Sequence, residues 1–166
     1  MHTVAVVMGS KSDLPIAEKA VAVLQEYGVG AEVRVLSAHR CPEQAREFAA
    51  SARESGFSVI IAAAGMAAHL AGAMAANTTL PVIGIPCRSG GLGGMDALLS
   101  TVMMPSGIPV AAVAVDGAKN AALLAVQILA VADGELARKL DEARRAETQA
   151  VLETDAQVRA QFRQEG

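Results

Sequence analysis

The stretch Val4-Ala-Val-Val-Met-Gly-Ser-Lys-Ser-Asp13 decides the fold. Five consecutive apolar residues end at Gly9, and a helical pattern begins immediately after Asp13. An unbroken apolar run of this length reads as a strand covered on both faces, which is the mark of a parallel sheet. The following segment, 14–27, places Ile16, Ala20, Val23, Leu24 and Tyr27 on one stripe, with Gly28 as its stop. Further strands are expected at 31–36, 58–63, 81–86 and 109–115. Helices are expected at 43–55 after Pro42, at 67–76, at 92–104 before Pro105, and at 120–132. A helix-length segment follows each strand, so the connections read as right-handed βαβ crossovers. The pattern predicts a flavodoxin-like three-layer α/β/α sandwich with a parallel sheet.

The character changes at Asp133. Segment 135–151 is charged and helical, with a thin apolar stripe of Leu136, Leu140, Ala143 and Val151. At 166 residues the chain fits a single domain, 1–166. Residues 133–166 read as a C-terminal helical extension that packs across the surface or on a neighbouring subunit.

Composition narrows the classes. The chain is 52% hydrophobic and 19% charged, which suits a folded protein and not a disordered one. A net charge of -3 with mixed signs argues against a nucleic-acid surface. No apolar run is long enough to span a bilayer. The N-terminus starts on a strand-like run without a basic region and cleavage site, so no signal peptide is expected. Cys41 and Cys87 form no CxxC pair and read as free thiols in a reducing cytoplasm.

In sheets of this kind the ligand sits beyond the carboxyl ends of the strands, so the segments there carry the functional reading. After the first strand, Gly9, Ser10 and Ser12 at a helix N-terminus form a phosphate site, and Asp13 suits a ribose diol. The competing reading is a simple N-cap by Ser12 or Asp13. After the second strand, Ser37-Ala-His-Arg40 joins a proton carrier to a residue that forks onto phosphate or carboxylate; a solvated loop histidine is the alternative. After the third, Gly65, Met66, Ala67 and Ala68 offer a flat surface for a ring, with His69 and Leu70 following. A satisfied buried histidine is the alternative for His69. After the fourth, the glycine-rich segment 87–96 makes Arg88 an anion contact or an interface residue.

Several chemistries drop out. Two histidines without a carboxylate or cysteine cluster make a weak metal site. No Gly-x-Ser-x-Gly elbow, Walker pattern or Gly-x-Gly-x-x-Gly fingerprint is present. A phosphorylated small molecule, a proton-shuttling histidine and a flat apolar pocket remain.

The motifs Met8-Gly-Ser-Lys-Ser-Asp13, Ser37-Ala-His-Arg40 with Pro42, Ala67-Ala-His-Leu70, Pro81-Val-Ile-Gly-Ile-Pro86, Met104-Pro-Ser-Gly-Ile-Pro-Val110 and Asn120-Ala-Ala-Leu-Leu124 occur in this order. With them the chain resembles, to roughly residue 152, the N5-carboxyaminoimidazole ribonucleotide mutase family. That family is also called the catalytic subunit of phosphoribosylaminoimidazole carboxylase. The resemblance implies a step of purine biosynthesis in which a carboxylate moves from the exocyclic nitrogen to ring carbon C4, without metal, ATP or organic cofactor. It implies that Ser10, Asp13 and Arg40 bind phosphate and ribose, that His39 carries the proton, and that Gly65 to His69 line the base and the migrating carboxylate. The candidate site is therefore His39 and His69 as catalytic residues, with Gly9, Ser10, Ser12, Asp13, Ser37, Arg40, Gly65, Met66, Ala67, Ala68 and Leu70 binding substrate. A cytoplasmic homo-octamer is implied, with sites near subunit boundaries. Functional coupling to the ATP-dependent enzyme that makes the substrate is implied as well.

The chain departs from the family pattern in places. Leu14 stands for a common Trp, Cys41 for Thr, Met66 for Gly and Ala71 for Pro. Met66 matters most, because it puts a side chain where backbone would face the base. The rivals are a direct CO2-dependent aminoimidazole ribonucleotide carboxylase, a related carboxylase of pyridine nucleotides, and a non-catalytic flavodoxin-like nucleotide-binding module. The Ala-Ala-His-Leu segment disfavours the first and Ser37 to Arg40 the second. A receiver-type module needs acidic residues where Gly9-Ser10 and Ala64-Gly65 stand.

Overall fold

Val4, Ala5, Val6 and Val7 are all fully buried, so the first strand has no solvent face. The computed structural model describes residues 2–163. In it β1 (Thr3–Met8) lies between β2 (Gly30–Val35) and β3 (Phe57–Gly65). Beyond β3 come β4 (Val82–Cys87) and β5 (Ala111–Ala112), and every pairing is parallel. The order β2-β1-β3-β4-β5 is that of a flavodoxin-like sheet. The chain steps from β1 to one side and then returns to the other. The crevice between the ends of β1 and β3 is where that reversal occurs.

Side chains alternate across the sheet and define two cores. Val4, Val6, Val59, Ile61, Ile83 and Ile85 pack under α1 (Leu14–Glu26) and α5 (Ala118–Ala130). Ala5, Val7, Ile60, Ala62 and Val82 pack under α2 (Pro42–Ser51) and α3 (Leu70–Ala75). The facing residues of α5 are Ala118, Ala121, Ala122 and Ala125, which let the helix lie close to β3 and β4. α4 (Met95–Val102) closes on β4, with Thr101 buried beside Gly84.

Several boundaries differ from the sequence expectation, and α2, expected to run to Ser55, ends at Ser51. The fifth strand, expected over 109–115, pairs only at Ala111 and Ala112. Pro109 has no N–H to give the ladder, and the chain turns away after Val113 bonds to Gly84. The helix expected at 67–76 begins at Leu70, because Met66 has φ 56° and residues 66–69 form a tight turn. The helix expected at 92–104 begins at Met95, because Gly93 and Gly94 are both left-handed, at φ 62° and 92°. The terminal helix α6 (Gly134–Gln161) runs ten residues past the expected end at 151.

α6 is anchored at its start. Leu136 is buried, and Lys139 Nζ donates to the Tyr27 carbonyl at 3.3 Å. Asp133 caps the helix, its Oδ1 accepting from Glu135 N–H at 3.0 Å and Leu136 N–H at 3.1 Å. His2 Nε2 lies 3.1 Å from Asp133 Oδ2. The Leu136 N–H, more than His2, holds the Asp133 carboxyl below its ordinary range. A depressed folded-state value means a stabilisation present above the ordinary value of 3.8 and lost as pH falls through the folded one. Asp133→Ala is therefore expected to lower the thermal unfolding midpoint at pH 7, with the difference from the parent chain shrinking below pH 4. Calorimetric scans across that range check it. Past Ala143, Val151 and Leu152 are exposed.

Candidate active site

The carboxyl ends of β1, β2, β3 and β4 surround a cleft of about 510 Å³. A larger groove of about 880 Å³ runs under α6, between α1 and α5, but it lies away from the strand ends. It is an open gap between helices, and none of the candidate site residues lines it.

The first wall follows β1. Gly9 N–H continues the ladder to the Ala63 carbonyl at 3.1 Å. Ser10 then turns into a single 3-10 turn, Lys11–Asp13, with its hydroxyl accepting from Ser12 N–H at 3.3 Å and from the Ser12 hydroxyl at 3.0 Å. Asp13 stands at the N-cap of α1 without a side-chain capping bond. Capping by Ser12 or Asp13, the competing reading of this segment, is therefore not what these side chains do. Burial, with the Asp116 carboxylate adding to it, pushes the Asp13 carboxyl above its ordinary range, against an opposing backbone hydrogen bond from Ser10.

The second wall is the turn after β2. Ser37 and Cys41 clamp it: Cys41 N–H donates to the Ser37 carbonyl at 2.9 Å, and the Cys41 sulfur lies 3.1 Å from Ser37 N and 3.2 Å from its carbonyl oxygen. The Ser37 hydroxyl accepts from Arg40 N–H at 3.2 Å. His39 and Arg40 project from the apex of this clamped turn and are exposed.

The third wall follows β3. Met66 holds a left-handed backbone, and short bonds from Ala68 N–H to the Met66 carbonyl and from His69 N–H to the Ala67 carbonyl fold the segment tightly. A non-glycine residue there costs on the order of 1–2 kcal/mol. The turn delivers His69 into the cleft, where its ring stacks on that of His39 with centroids 5.5 Å apart and planes 14° from parallel. Leu70 is buried at the base of the cleft. The Met66 side chain is exposed at its mouth.

Twelve of the thirteen sequence candidates thus line one cleft. Ala68 does not: it is 2% exposed and packs beneath the turn. Residues missed by the sequence reading are Ala38, Ala64 and Ser89, which also line it. Arg88 is held by a neighbouring loop, its N–H donating to Asp116 Oδ1 at 2.8 Å and its Nε 3.7 Å from Oδ2. Among the described residues no group of three His, Cys, Asp or Glu side chains is placed to hold a metal ion. Both cysteines are free, and burial drives the Cys87 thiol up to about 12, so it stays protonated.

The model of the AIR carboxylase family matches residues 3–150. The chain belongs to that family. Members similar to this AIR carboxylase family chain include the N5-carboxyaminoimidazole ribonucleotide mutase of Pyrococcus horikoshii, 56% identical over 82% of this chain and 77% of the relative. The protein of the same name from Bacillus subtilis is 53% identical over 93% of this chain and 97% of its own length. The crystal structure of Treponema denticola PurE superposes with a TM-score of 0.85 at 30% identity, covering 95% of this chain and 98% of that one. The family match spans every wall of the cleft and ends inside α6. No helix among the described residues of this family member is long and apolar enough to cross a membrane.

Proposed function

We propose that this chain converts N5-carboxyaminoimidazole ribonucleotide to 4-carboxyaminoimidazole ribonucleotide in purine biosynthesis, as an intramolecular carboxylate-transferring isomerase. One observation carries this reading. A family member more than half identical to named mutases brings His39, His69, Asp13 and Arg40 into a single cleft at the switch point of its sheet.

The walls of the cleft support the following division of labour. The 3-10 turn after Ser10 and the Arg40 guanidinium take the ribonucleotide phosphate, with Gly9, Ser12 and Ser37 beside them. Asp13 accepts from the ribose hydroxyls. Gly65, Met66, Ala67 and Leu70 take the flat base, and Ala68 supports that turn from below without touching the ligand.

The reaction needs one mobile proton. Protonation of the carbamate nitrogen by His39 breaks the C–N bond, leaves the electron pair on nitrogen and frees CO2. The aminoimidazole is now an enamine, and C4 supplies the pair for a new C–C bond to the same CO2. His39 then removes the C4 proton, so the enzyme ends as it began. Holding CO2 beside C4 makes recapture effectively unimolecular. His69, stacked on His39, fixes the plane of the working ring. No step calls for a cofactor.

The whole chain 1–166 acts as one catalytic domain in the cytoplasm. A homo-oligomer, an octamer by the resemblance, is supported by the bare apolar side chains of outer α6, which pack on a neighbouring subunit. The unstable carbamate substrate favours functional coupling to the ATP-dependent enzyme that makes it.

The deciding assay offers the purified protein N5-carboxyaminoimidazole ribonucleotide at low bicarbonate and, separately, aminoimidazole ribonucleotide with bicarbonate. C4-carboxylated product from the first establishes the mutase. Activity with the second alone moves the chain to direct carboxylation, and inactivity with both removes the reading.

Asp13 offers a test with opposite signs for fold and function. Its raised folded-state value means the folded chain binds its proton more tightly than the unfolded chain, so stability is lost as pH rises past the ordinary 3.8 and stays lost at neutral pH. Asp13→Asn is expected to raise the unfolding midpoint at pH 7, with the gain vanishing below pH 4. The same variant is expected to raise KM by roughly tenfold through the lost ribose contact. A lower midpoint at pH 7, or an unchanged KM, contradicts the corresponding half.

A further inference from the structure

Four serine hydroxyls line the cleft, and three are engaged. Those of Ser10 and Ser12 bond to one another, and that of Ser37 accepts from Arg40 N–H. The Ser89 hydroxyl is buried and has no hydrogen-bond partner among the described residues. Leaving a buried hydroxyl unmatched costs roughly 1–3 kcal/mol.

Its position is enforced. Ser89 lies just past β4 and presses on Gly65 at the end of β3. A Cβ added at Gly65 would collide with the Ser89 hydroxyl, lie 3.0 Å from Ser89 Cβ and 3.2 Å from the Cys87 carbonyl oxygen. Glycine at 65 is therefore what admits this hydroxyl to the inner wall. On one side Ser89 is tethered through Arg88 to Asp116. On the other, Gly90 begins a glycine-rich segment with a left-handed φ of 69°. Ser89 itself lines the cleft, and rotation about its Cα–Cβ bond is the freedom its hydroxyl has to leave Gly65 for a ligand there.

With the phosphate assigned to the turn after β1 and to the Arg40 guanidinium, the base and its carboxylate lie against the ends of β3 and β4, where His69 stacks on His39. We propose that Ser89 Oγ donates the hydrogen bond that holds the migrating carboxylate, and the CO2 it becomes, beside C4. This rests on the mutase reading. A neutral donor suits this role, because it meets a carboxylate before and after transfer without anchoring the carbamate as strongly as a cation would. As C4 gives its electron pair to the CO2 carbon, negative charge grows on the CO2 oxygens and the hydroxyl stabilises it. His39 takes the C4 proton, so charge and atoms balance.

The test is turnover of N5-carboxyaminoimidazole ribonucleotide in 13C-bicarbonate, read as 13C in the product and as free aminoimidazole ribonucleotide released. With Ser89→Ala the 13C fraction is expected to rise ~10-fold over the parent chain, since CO2 then escapes before recapture. Released aminoimidazole ribonucleotide rises with it, while the unfolding midpoint holds or increases. Ser89→Cys, a weaker donor of similar size, is expected to fall between the two and carries the same readout if Ser89→Ala does not fold. Parent-level 13C in both variants, with turnover retained, overturns the role of Ser89 alone. A parent chain that makes no product from this substrate overturns the mutase reading and the role of Ser89 with it.

Discussion

His39→Asn is expected to lower kcat by roughly 10²- to 10⁴-fold, the range a positioned acid–base group contributes. Asparagine keeps the polar side chain but carries no exchangeable proton of suitable acidity. KM should change little, because the phosphate and ribose contacts are assigned to the turn after Ser10, to Asp13 and to the neighbouring Arg40 guanidinium, none of which the substitution removes. The unfolding midpoint should also hold, since His39 projects from the apex of a turn clamped by Ser37 and Cys41 and is exposed. Steady-state kinetics with calorimetric measurement of ligand binding separates these quantities. Near-normal turnover with substrate still bound would remove His39 from the chemistry and leave His69 as the remaining imidazole in the cleft.

Gly84→Val is expected to destabilise the fold by about 3 kcal/mol without touching the cleft. For a chain of this size that is a fall of roughly 6–12 °C in the unfolding midpoint. Gly84 lies inside β4, paired with Ala62 and Ala112. A Cβ there would collide with Thr101 Cγ2 and stand 3.2 Å from Ala71 Cβ and Val110 Cγ1. Thr101 has no room to yield, because it is buried and its hydroxyl bonds to the Ala97 carbonyl at 2.7 Å. A shift of less than 1 kcal/mol in a denaturant titration would mean that α4 moves off the sheet more readily than this packing implies.

The sheet is legible in the sequence because burial on two faces leaves a plain trace. The runs Val4–Met8 in β1, Val59–Ala64 in β3 and Val82–Ile85 in β4 contain no polar side chain, and the strand order follows from the crossovers between them. The differences arise where hydrogen bonding and burial part company. Residues 109–115 are apolar enough for a strand, yet periodicity reports side-chain environment and not whether a backbone finds a partner. The far end of α6 differs in the other direction. Its helix continues past Val151 on local pairs, such as Gln149 with Glu153 and Arg159 with Asp155, which need no core. The starts of α3 and α4 depend on left-handed residues, and a left-handed Met66 has no signature in sequence.

The cleft is legible for the same reason as the sheet: the ends of parallel strands are where ligands bind, and the unusual side chains stand there. Ala68 reads like its neighbours in the chain, although the turn points it inward. Ser89 is masked by Arg88 beside it, which carries the charge. The available signal is positional, a hydroxyl directly after the fourth strand. Its value depends on Gly65 lying against it, a contact between segments 24 residues apart that no local pattern encodes.

The order of the strands along the chain has a bearing on synthesis. Every residue lining the cleft falls between Gly9 and Ser89, so a ribosome has made the whole lining when about half of the protein has been synthesised. Yet on one face of β3 and β4 much of the cover comes from α5, whose alanines come some thirty residues later. Until that helix leaves the exit tunnel, the nascent chain holds the cleft lining on a sheet whose face beyond α1 is bare and apolar over β3 and β4. The interval favours capture by chaperones that bind exposed aliphatic surface, and catalytic competence arrives with the docking of a helix that contributes no side chain to the cleft.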